Sequence, residues 1–167
     1  MAEPLDILIP MDGSPTSEAI LPAVLPLLRS RSVRVTLLQA VPLRTGERAA
    51  RRSLEAMRAD LARDGVDASL RVEVGRPVLE ILRAAGEGCD LIAMATHGRG
   101  GTARLVLGST AEEVGRRAPG PVLLNRRETW VGDWKRIVAA VDGTAGSEEI
   151  LEGTARLAAS LGAILLV

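Results

Sequence analysis

The chain alternates short apolar runs with segments of helical periodicity through its first 125 residues. The clearest helix is predicted over 47–64, where apolar residues recur at spacings of four and three. Five apolar or β-branched runs are predicted strands, and they cover 5–10, 33–41, 68–74, 91–94 and 122–124. Strands that alternate with helices imply a parallel sheet covered by helices on both faces. The sequence therefore predicts an α/β fold.

The amino-acid composition argues against several classes of protein. Basic and acidic residues are equal at 21 each, so no nucleic-acid-binding surface is expected. The single cysteine, Cys89, excludes an intramolecular disulfide and favours the reducing cytoplasm. No N-terminal secretion signal and no apolar run long enough to span a bilayer is present, so no membrane association is expected.

The sequence after about residue 135 repeats the beginning of the chain at a displacement of 130 residues. The second copy has Ile137, Asp142, Gly143 and Thr144 where the first has Ile7, Asp12, Gly13 and Ser14. The repeat predicts a first domain over 1–125, a linker over 126–134 and an incomplete second unit over 135–167. Because the second copy stops within a predicted strand, we expect a longer tandem protein. No ligand is predicted for Asp142, because its unit has no glycine-rich loop.

A glycine-rich connection over 95–109 leads from the fourth predicted strand into a helix. Glycines allow the backbone to approach a ligand closely, and the N–H groups at a helix start favour anions. Ser109 offers both its N–H and its hydroxyl there, while Arg99 and Arg104 can add positive charge. This pattern predicts a phosphate-bearing small molecule as the ligand.

Other kinds of site fit the sequence less well. The segment 98–103 matches a dinucleotide fingerprint, but it follows the fourth strand and no acid ends the next one. No phosphate-binding Gly-x-x-x-x-Gly-Lys-Ser/Thr loop is present. Asp12, His97 and Ser109 could form a hydrolase triad, but a loop histidine and a helix-capping serine are the simpler interpretation. With one histidine and one cysteine in the chain, no transition-metal site is predicted.

Four motifs in order resemble the universal stress protein family. They are the segment 9–14, the segment 37–41, the pattern Ala95-x2-Gly98-x9-Gly108-Ser109, and the segment 120–124. Gln39 stands where a histidine is usual, and Ala95 stands where the nucleotide-binding pattern has glycine. The resemblance implies an open five-stranded sheet of order 3-2-1-4-5, with a ligand at the point where the strand order reverses.

The resemblance also implies roles for individual residues. Asp12 corresponds to the acid that bonds adenine or ribose, and Ala40 to a backbone contact with adenine. Gly98, Gly108, Ser109 and Thr110 correspond to positions that hold the phosphates. If the Ala95 site requires a positive φ, alanine strains the loop, whereas a need for clearance alone tolerates one methyl group. The expected nucleotide-binding residues are Pro10, Met11, Asp12, Ala40, Ala95, Gly98, Arg99, Gly108, Ser109 and Thr110.

The expected function is adenine-nucleotide binding, of ATP or AMP with Mg²⁺ as a possible bridge between phosphates, in a regulatory or signalling role under stress. No catalytic residue is predicted, so ATP hydrolysis would be weak at most. A homodimer is expected through the edge of the fifth strand, from Pro121 to Asn125. Two alternatives stay open: a member of the family that acts through protein contacts without a nucleotide, and a slow ATPase.

Overall fold

A five-stranded parallel sheet forms the centre of the protein in the computed structural model, which describes residues 4–30, 33–96, 108–125 and 134–167. Its strands are β1 (Leu5–Met11), β2 (Val33–Val41), β3 (Ala68–Val74), β4 (Leu91–Ala95) and β5 (Val122–Asn125). Neighbouring strands are parallel throughout, and their order is β3-β2-β1-β4-β5. The α/β class and the strand order are both confirmed.

Helices cover both faces of this sheet. They are α1 (Pro15–Glu18), α2 (Ile20–Ser30), α3 (Glu47–Arg63), α4 (Pro77–Gly86) and α5 (Ser109–Arg117). Ile9 and Leu37 point to the face covered by α2 and α3, whereas Leu8 and Leu38 point to the face covered by α4 and α5. This alternation buries both sides of β1 and β2, as expected for central strands of a parallel sheet.

The helical segment after β1 is interrupted at Ala19, which separates α1 from α2. Pro22 lacks the N–H that would bond the Glu18 carbonyl in a continuous helix. An equivalent interruption occurs at Glu149 in the repeat, where no proline follows. The interruption therefore belongs to the repeated turn and does not depend on Pro22.

The repeated segment forms a small unit beside the first. It contains β6 (Arg136–Val138), α6 (Ala145–Glu148), α7 (Ile150–Leu161) and β7 (Ile164–Leu166), and its two strands are parallel. Helix α7 packs on α2, and Leu157 and Leu161 contact the core of the large sheet. Trp134 donates a hydrogen bond from Nε1 to the carbonyl of Ala23 at 3.0 Å, which fastens the start of the unit to α2. Most of the predicted linker, 126–133, lies outside the described residues.

Cys89 lies just before β4 and packs, half-buried, against the cluster beneath α4. Burial raises the pKa of its thiol. No helix in the described part of the chain is both long and apolar enough to cross a bilayer.

Candidate functional site

The strand order reverses between β1 and β4, and in open α/β sheets the ligand crevice lies beyond the carboxyl ends of the strands at such a point. β1 pairs with β2 along its whole length, from Leu5 to Met11. It pairs with β4 only through Ile7 and Leu8, opposite Leu91 and Ile92. Pro10 has no N–H to offer either neighbour, so β1 and β4 share no ladder toward their carboxyl ends.

An acidic turn follows β1 at this crevice. Asp12 is exposed, and its Oδ1 accepts a hydrogen bond from the Ser14 N–H at 2.8 Å. The Asp12 N–H donates to Ser17 Oγ at 3.3 Å, and the Ser17 hydroxyl donates to the Ser14 carbonyl at 2.8 Å. Gly13 adopts φ 73°, which only glycine takes without strain. The turn therefore fixes the backbone that carries the Asp12 carboxylate.

The same turn forms in the repeated unit. Asp142 Oδ1 accepts from the Thr144 N–H at 3.0 Å, and the Asp142 N–H donates to Ser147 Oγ at 3.2 Å. Gly143 has φ 82°. Hydrogen bonds from Ser147 and Thr144 lower the pKa of Asp142 to about 2. Since local sequence alone builds this turn twice, a role of Asp12 in binding depends on what else lies at its crevice.

The start of α5 lies at the carboxyl end of β4. The Gly108 N–H donates to the Thr96 carbonyl at 2.5 Å, and the first helical bond joins the Glu112 N–H to the Gly108 carbonyl at 2.9 Å. Gly108 makes no side-chain cap, so the N–H groups of Ser109 and Thr110 have no acceptor within the helix. Ser109 is exposed and Thr110 is half-buried. This helix start can bind an anion.

Among the expected site residues, Pro10 and Met11 end β1 and are buried, so only their backbone can contact a ligand. Ala40 is half-buried near the end of β2. Ala95 is the last residue of β4 and pairs with Asn125. No non-glycine residue in the described ranges has a positive φ, so Ala95 does not strain its backbone.

Two expected residues, Gly98 and Arg99, lie outside the described residues, as do His97 and Arg104. The other eight lie at the carboxyl ends of three adjacent strands or at the start of α5: Pro10, Met11, Asp12, Ala40, Ala95, Gly108, Ser109 and Thr110. In the described segments, no group of three or more His, Cys, Asp or Glu side chains could hold a metal ion.

Gln39, one residue before Ala40, was not among the expected site residues. Its Oε1 is buried and has no hydrogen-bond partner. An ideal Cβ built on Gly13 would lie 3.1 Å from Gln39 Nε2, so this carboxamide lies directly against the acidic turn. The only sequence signal was glutamine at a position where the related family usually has histidine.

Comparison with known sequences gives a consistent result. The family model described as the universal stress protein family matches residues 5–126. A curated relative, the universal stress protein in the QAH/OAS sulfhydrylase 3′ region of Thermus aquaticus, is 53% identical over 53 residues. That match covers 31% of this chain and 39% of the relative, so it spans less than half of the relative's length.

Solved structures with the same fold include a protein from the universal stress protein family of Burkholderia pseudomallei. It is 32% identical with a TM-score of 0.57, and the match covers 72% of this chain and 94% of that one. A universal stress protein in complex with cAMP is 22% identical, with a TM-score of 0.60 and coverage of 76% and 100%. A universal stress protein family protein of Arabidopsis thaliana with AMP bound is 16% identical, with a TM-score of 0.59 and coverage of 75% and 94%.

Proposed function

This chain belongs to the universal stress protein family, and on that premise we propose that its first 125 residues bind an adenine nucleotide, ATP or AMP, as a cytoplasmic regulatory module. One observation carries the proposal. The uncapped start of α5 and the exposed Asp12 lie at the carboxyl ends of β4 and β1, where those strands stop pairing.

The start of α5 supplies the phosphate end of the proposed site. The N–H groups of Ser109 and Thr110 and the Ser109 hydroxyl can bond phosphate oxygens, and the helix dipole favours their negative charge. Gly108 has φ −58° and ψ 140°, which any residue can adopt. Its value as glycine is therefore clearance for the phosphates. Gly98 and Arg99 are the other two residues that we propose to bind the phosphates.

Asp12 supplies the nucleoside end, since its carboxylate can accept hydrogen bonds from ribose hydroxyls or from the base. The backbone of Ala40 offers a contact with adenine, and Pro10 and Met11 offer backbone beside it. Ala95 stands where the nucleotide-binding pattern has glycine, but its backbone is not strained, so the alanine does not argue against nucleotide binding. The relatives solved with cAMP and with AMP support an adenine nucleotide as the ligand class.

The proposed role is binding and signalling, with hydrolysis weak at most. Asp12 and Ser109 carry oxygen donors of the kind that Mg²⁺ accepts, so these residues would hold a magnesium ion that screens the phosphate charge. The alternative of a slow ATPase requires steady turnover that Asp12→Ala abolishes. The alternative of protein contacts without a nucleotide requires that no adenine nucleotide binds.

The test is calorimetric titration of the purified chain with AMP and with ATP, with and without Mg²⁺. We expect saturable binding, and a nucleotide at about 100 times Kd should raise Tm by roughly 5–10 °C. Gly108→Val should weaken binding at least about tenfold by filling the clearance, without backbone strain.

The repeat provides a matched control for the acidic turn. Asp12→Ala should weaken nucleotide binding at least about tenfold, whereas Asp142→Ala changes the equivalent turn and should leave the affinity unchanged. Equal effects of the two substitutions, or no binding of either nucleotide to the unmodified chain, would contradict the proposal.

Dimerisation is a second part of the proposal. β5 is an edge strand of the sheet, and an unpaired edge can take the equivalent strand of another copy. The second unit approaches the beginning of this edge, since a Cβ on Gly153 would lie 3.7 Å from Pro121 Cγ. Sedimentation equilibrium should give twice the chain mass, and a monomer at all concentrations would exclude this pairing.

A further inference from the structure

The two ends of the proposed site follow strands that no longer pair with each other where the site begins. β1 and β4 pair only through Ile7 and Leu8, opposite Leu91 and Ile92, so the acidic turn and the start of α5 share no backbone ladder. Helices α1 and α2 contact β4, but the packing of side chains has little directional preference. A hydrogen bond between the two sides fixes their separation more closely, because it requires a defined distance and angle.

Asn125, the last residue of β5, makes such a bond. Its Nδ2 donates to the carbonyl of Ala19, which lies between α1 and α2, at 3.1 Å. Its backbone carbonyl accepts a hydrogen bond from the Thr96 N–H, directly after β4, at 3.0 Å. One half-buried residue thus joins the carboxyl end of β4 to the helices that follow β1.

Further hydrogen bonds lead from this residue to both ends of the site. On the side of β4, the Thr96 carbonyl accepts a hydrogen bond from the Gly108 N–H at 2.5 Å, directly before α5. On the side of β1, Ala19 caps the end of α1, and Ser17 of that helix accepts a hydrogen bond from the Asp12 N–H at 3.3 Å. The phosphate end and the nucleoside end are therefore connected through this one carboxamide.

The packing of β5 does not require a polar residue at this position. The three residues before Asn125 are apolar: Val122, Leu123 and Leu124. Leu123 packs against the cluster beneath α2 and α3, and the alternation of a strand turns Asn125 to the same face. An apolar side chain can pack on that face as Leu123 does. What the asparagine adds there is the hydrogen bond to Ala19.

The repeat indicates that this bond is not needed to form the interrupted helix. Glu149 in the second unit occupies the position of Ala19, and it separates α6 from α7 in the same way. The hydroxyls of Ser147 and Thr154 bond other carbonyls, and within the described ranges no side chain donates to the Glu149 carbonyl. The Asn125 bond is thus an addition to the first unit, which contains the candidate site.

Resting on the nucleotide binding proposed above, we propose that Asn125 is a positioning residue, which sets the separation of the acidic turn and the start of α5 that a nucleotide spans. A nucleotide contacts both ends with one molecule, so its affinity depends on how closely they keep that separation. A ligand that contacts one end alone does not depend on it. Loss of the Asn125 bond therefore weakens the binding of nucleotides selectively.

The test uses Asn125→Leu, which keeps the approximate shape of the side chain and removes the donor. Calorimetry should show that AMP binds about threefold to tenfold more weakly, the loss expected for one hydrogen bond. Adenosine and pyrophosphate each contact one end of the site, and NMR titration should give unchanged affinities for both. Asn125→Ala removes the same donor without adding a branched side chain, and it should weaken AMP binding to the same extent.

Trp134→Phe is the matched control. The Trp134 indole also donates to a carbonyl of α2, that of Ala23 at 3.0 Å, but it does so from the second unit. Loss of this bond should leave the AMP affinity unchanged. An equal loss of AMP affinity in the control would show a general effect of loosening α2 and would overturn the positioning role.

Two other results would also overturn this role while nucleotide binding stands. One is an unchanged AMP affinity in both Asn125 variants. The other is an equal loss of affinity for AMP, adenosine and pyrophosphate, since a ligand of one end does not depend on the separation. If the unmodified chain binds no adenine nucleotide, the proposed function itself fails, and the positioning role fails with it.

Discussion

At the scale of single residues, the carboxylate of the second acidic turn makes two bonds to the same neighbour, Thr144. Asp142 Oδ1 accepts from the Thr144 hydroxyl at 2.7 Å in addition to the Thr144 N–H. The hydroxyls of Ser14 and Thr144 both cap the helix that follows, since each accepts a hydrogen bond from the N–H of the serine three residues later. The Asp142 carboxylate thus accepts a hydrogen bond from the Thr144 hydroxyl within its own turn.

The pKa of Asp142, lowered from 3.8 to about 2, predicts a pH dependence of stability. The ionised form is favoured in the folded state, so its contribution is complete above about pH 4 and is lost as the pH falls toward 2. Asp142→Asn keeps an acceptor for the Thr144 N–H but carries no charge. Thermal unfolding followed by circular dichroism should show that Tm falls more steeply in the unmodified chain than in the variant. Parallel slopes in this range would show that the carboxylate contributes nothing.

At the scale of elements, α4 is joined to β3 by a cluster of ion pairs. Arg71 of β3 bonds Glu87, just after α4, at 2.5 Å, and Arg83 of α4 bonds Glu73 of β3 at 2.9 Å. Arg83 also bonds Glu80 within α4 at 2.9 Å. Gly75, between the strand and the helix, lies against one of these carboxylates. A Cβ there would clash with Glu80 Oε1 and lie 2.9 Å from its Cδ.

We therefore expect Gly75→Ala to displace Glu80 and break its bond to Arg83. The pairs are partly exposed and the end of the Glu80 side chain can turn away, so the loss of unfolding free energy should be small. Gly86→Ala is the matched control in α4, since a Cβ there meets nothing within 4 Å and alanine favours a helix. Urea unfolding of both variants measures the difference. Equal stability of the two would mean that Glu80 moves aside without cost.

The elements also show what could be predicted from the sequence. The bounds of β2 and β3 agree with the expected strands, because their alternating β-branched and apolar residues match the two faces that the helices bury. Asp12 and Ser109 were placed at the crevice because each directly follows a strand end or begins a helix. The interruption at Ala19 and the orphaned Gln39 oxygen could not be predicted. The break at Ala19 belongs to the hydrogen bonds of the local turn, which the repeat at Glu149 reproduces, and the position of the Gln39 carboxamide depends on packing against the turn that no local pattern encodes.

At the scale of the whole molecule, Trp134 is the described contact that fixes the beginning of the second unit to the first. Its indole N–H reaches the Ala23 carbonyl within α2, a helix that also contains Pro26. A proline has no N–H, so the carbonyl four residues before it lacks its usual hydrogen-bond donor in the helix. The indole thus supplies a donor close to a place where the helix lacks one.

Trp134→Phe should keep the aromatic packing and lose this bond, which weakens docking of the second unit by about 1 kcal/mol. Hydrogen exchange followed by mass spectrometry should then show faster exchange in α7 and unchanged exchange in β2. Since β2 is central in the large sheet, it reports the fold of the first unit independently. Unchanged exchange in α7 would mean that helix packing alone holds the second unit.

Helix α7 is the sequence copy of α2, and the two copies pack against each other. In a dimer of identical chains, every substitution in such a helix alters both sides of the contact at once. Within one chain the copies are free to diverge, and they have done so: Pro26 of α2 corresponds to Arg156 of α7, and Arg29 to Ala159. Each helix now forms part of the packing surface of the other. Compensating substitutions during evolution should therefore concentrate along this pair of helices.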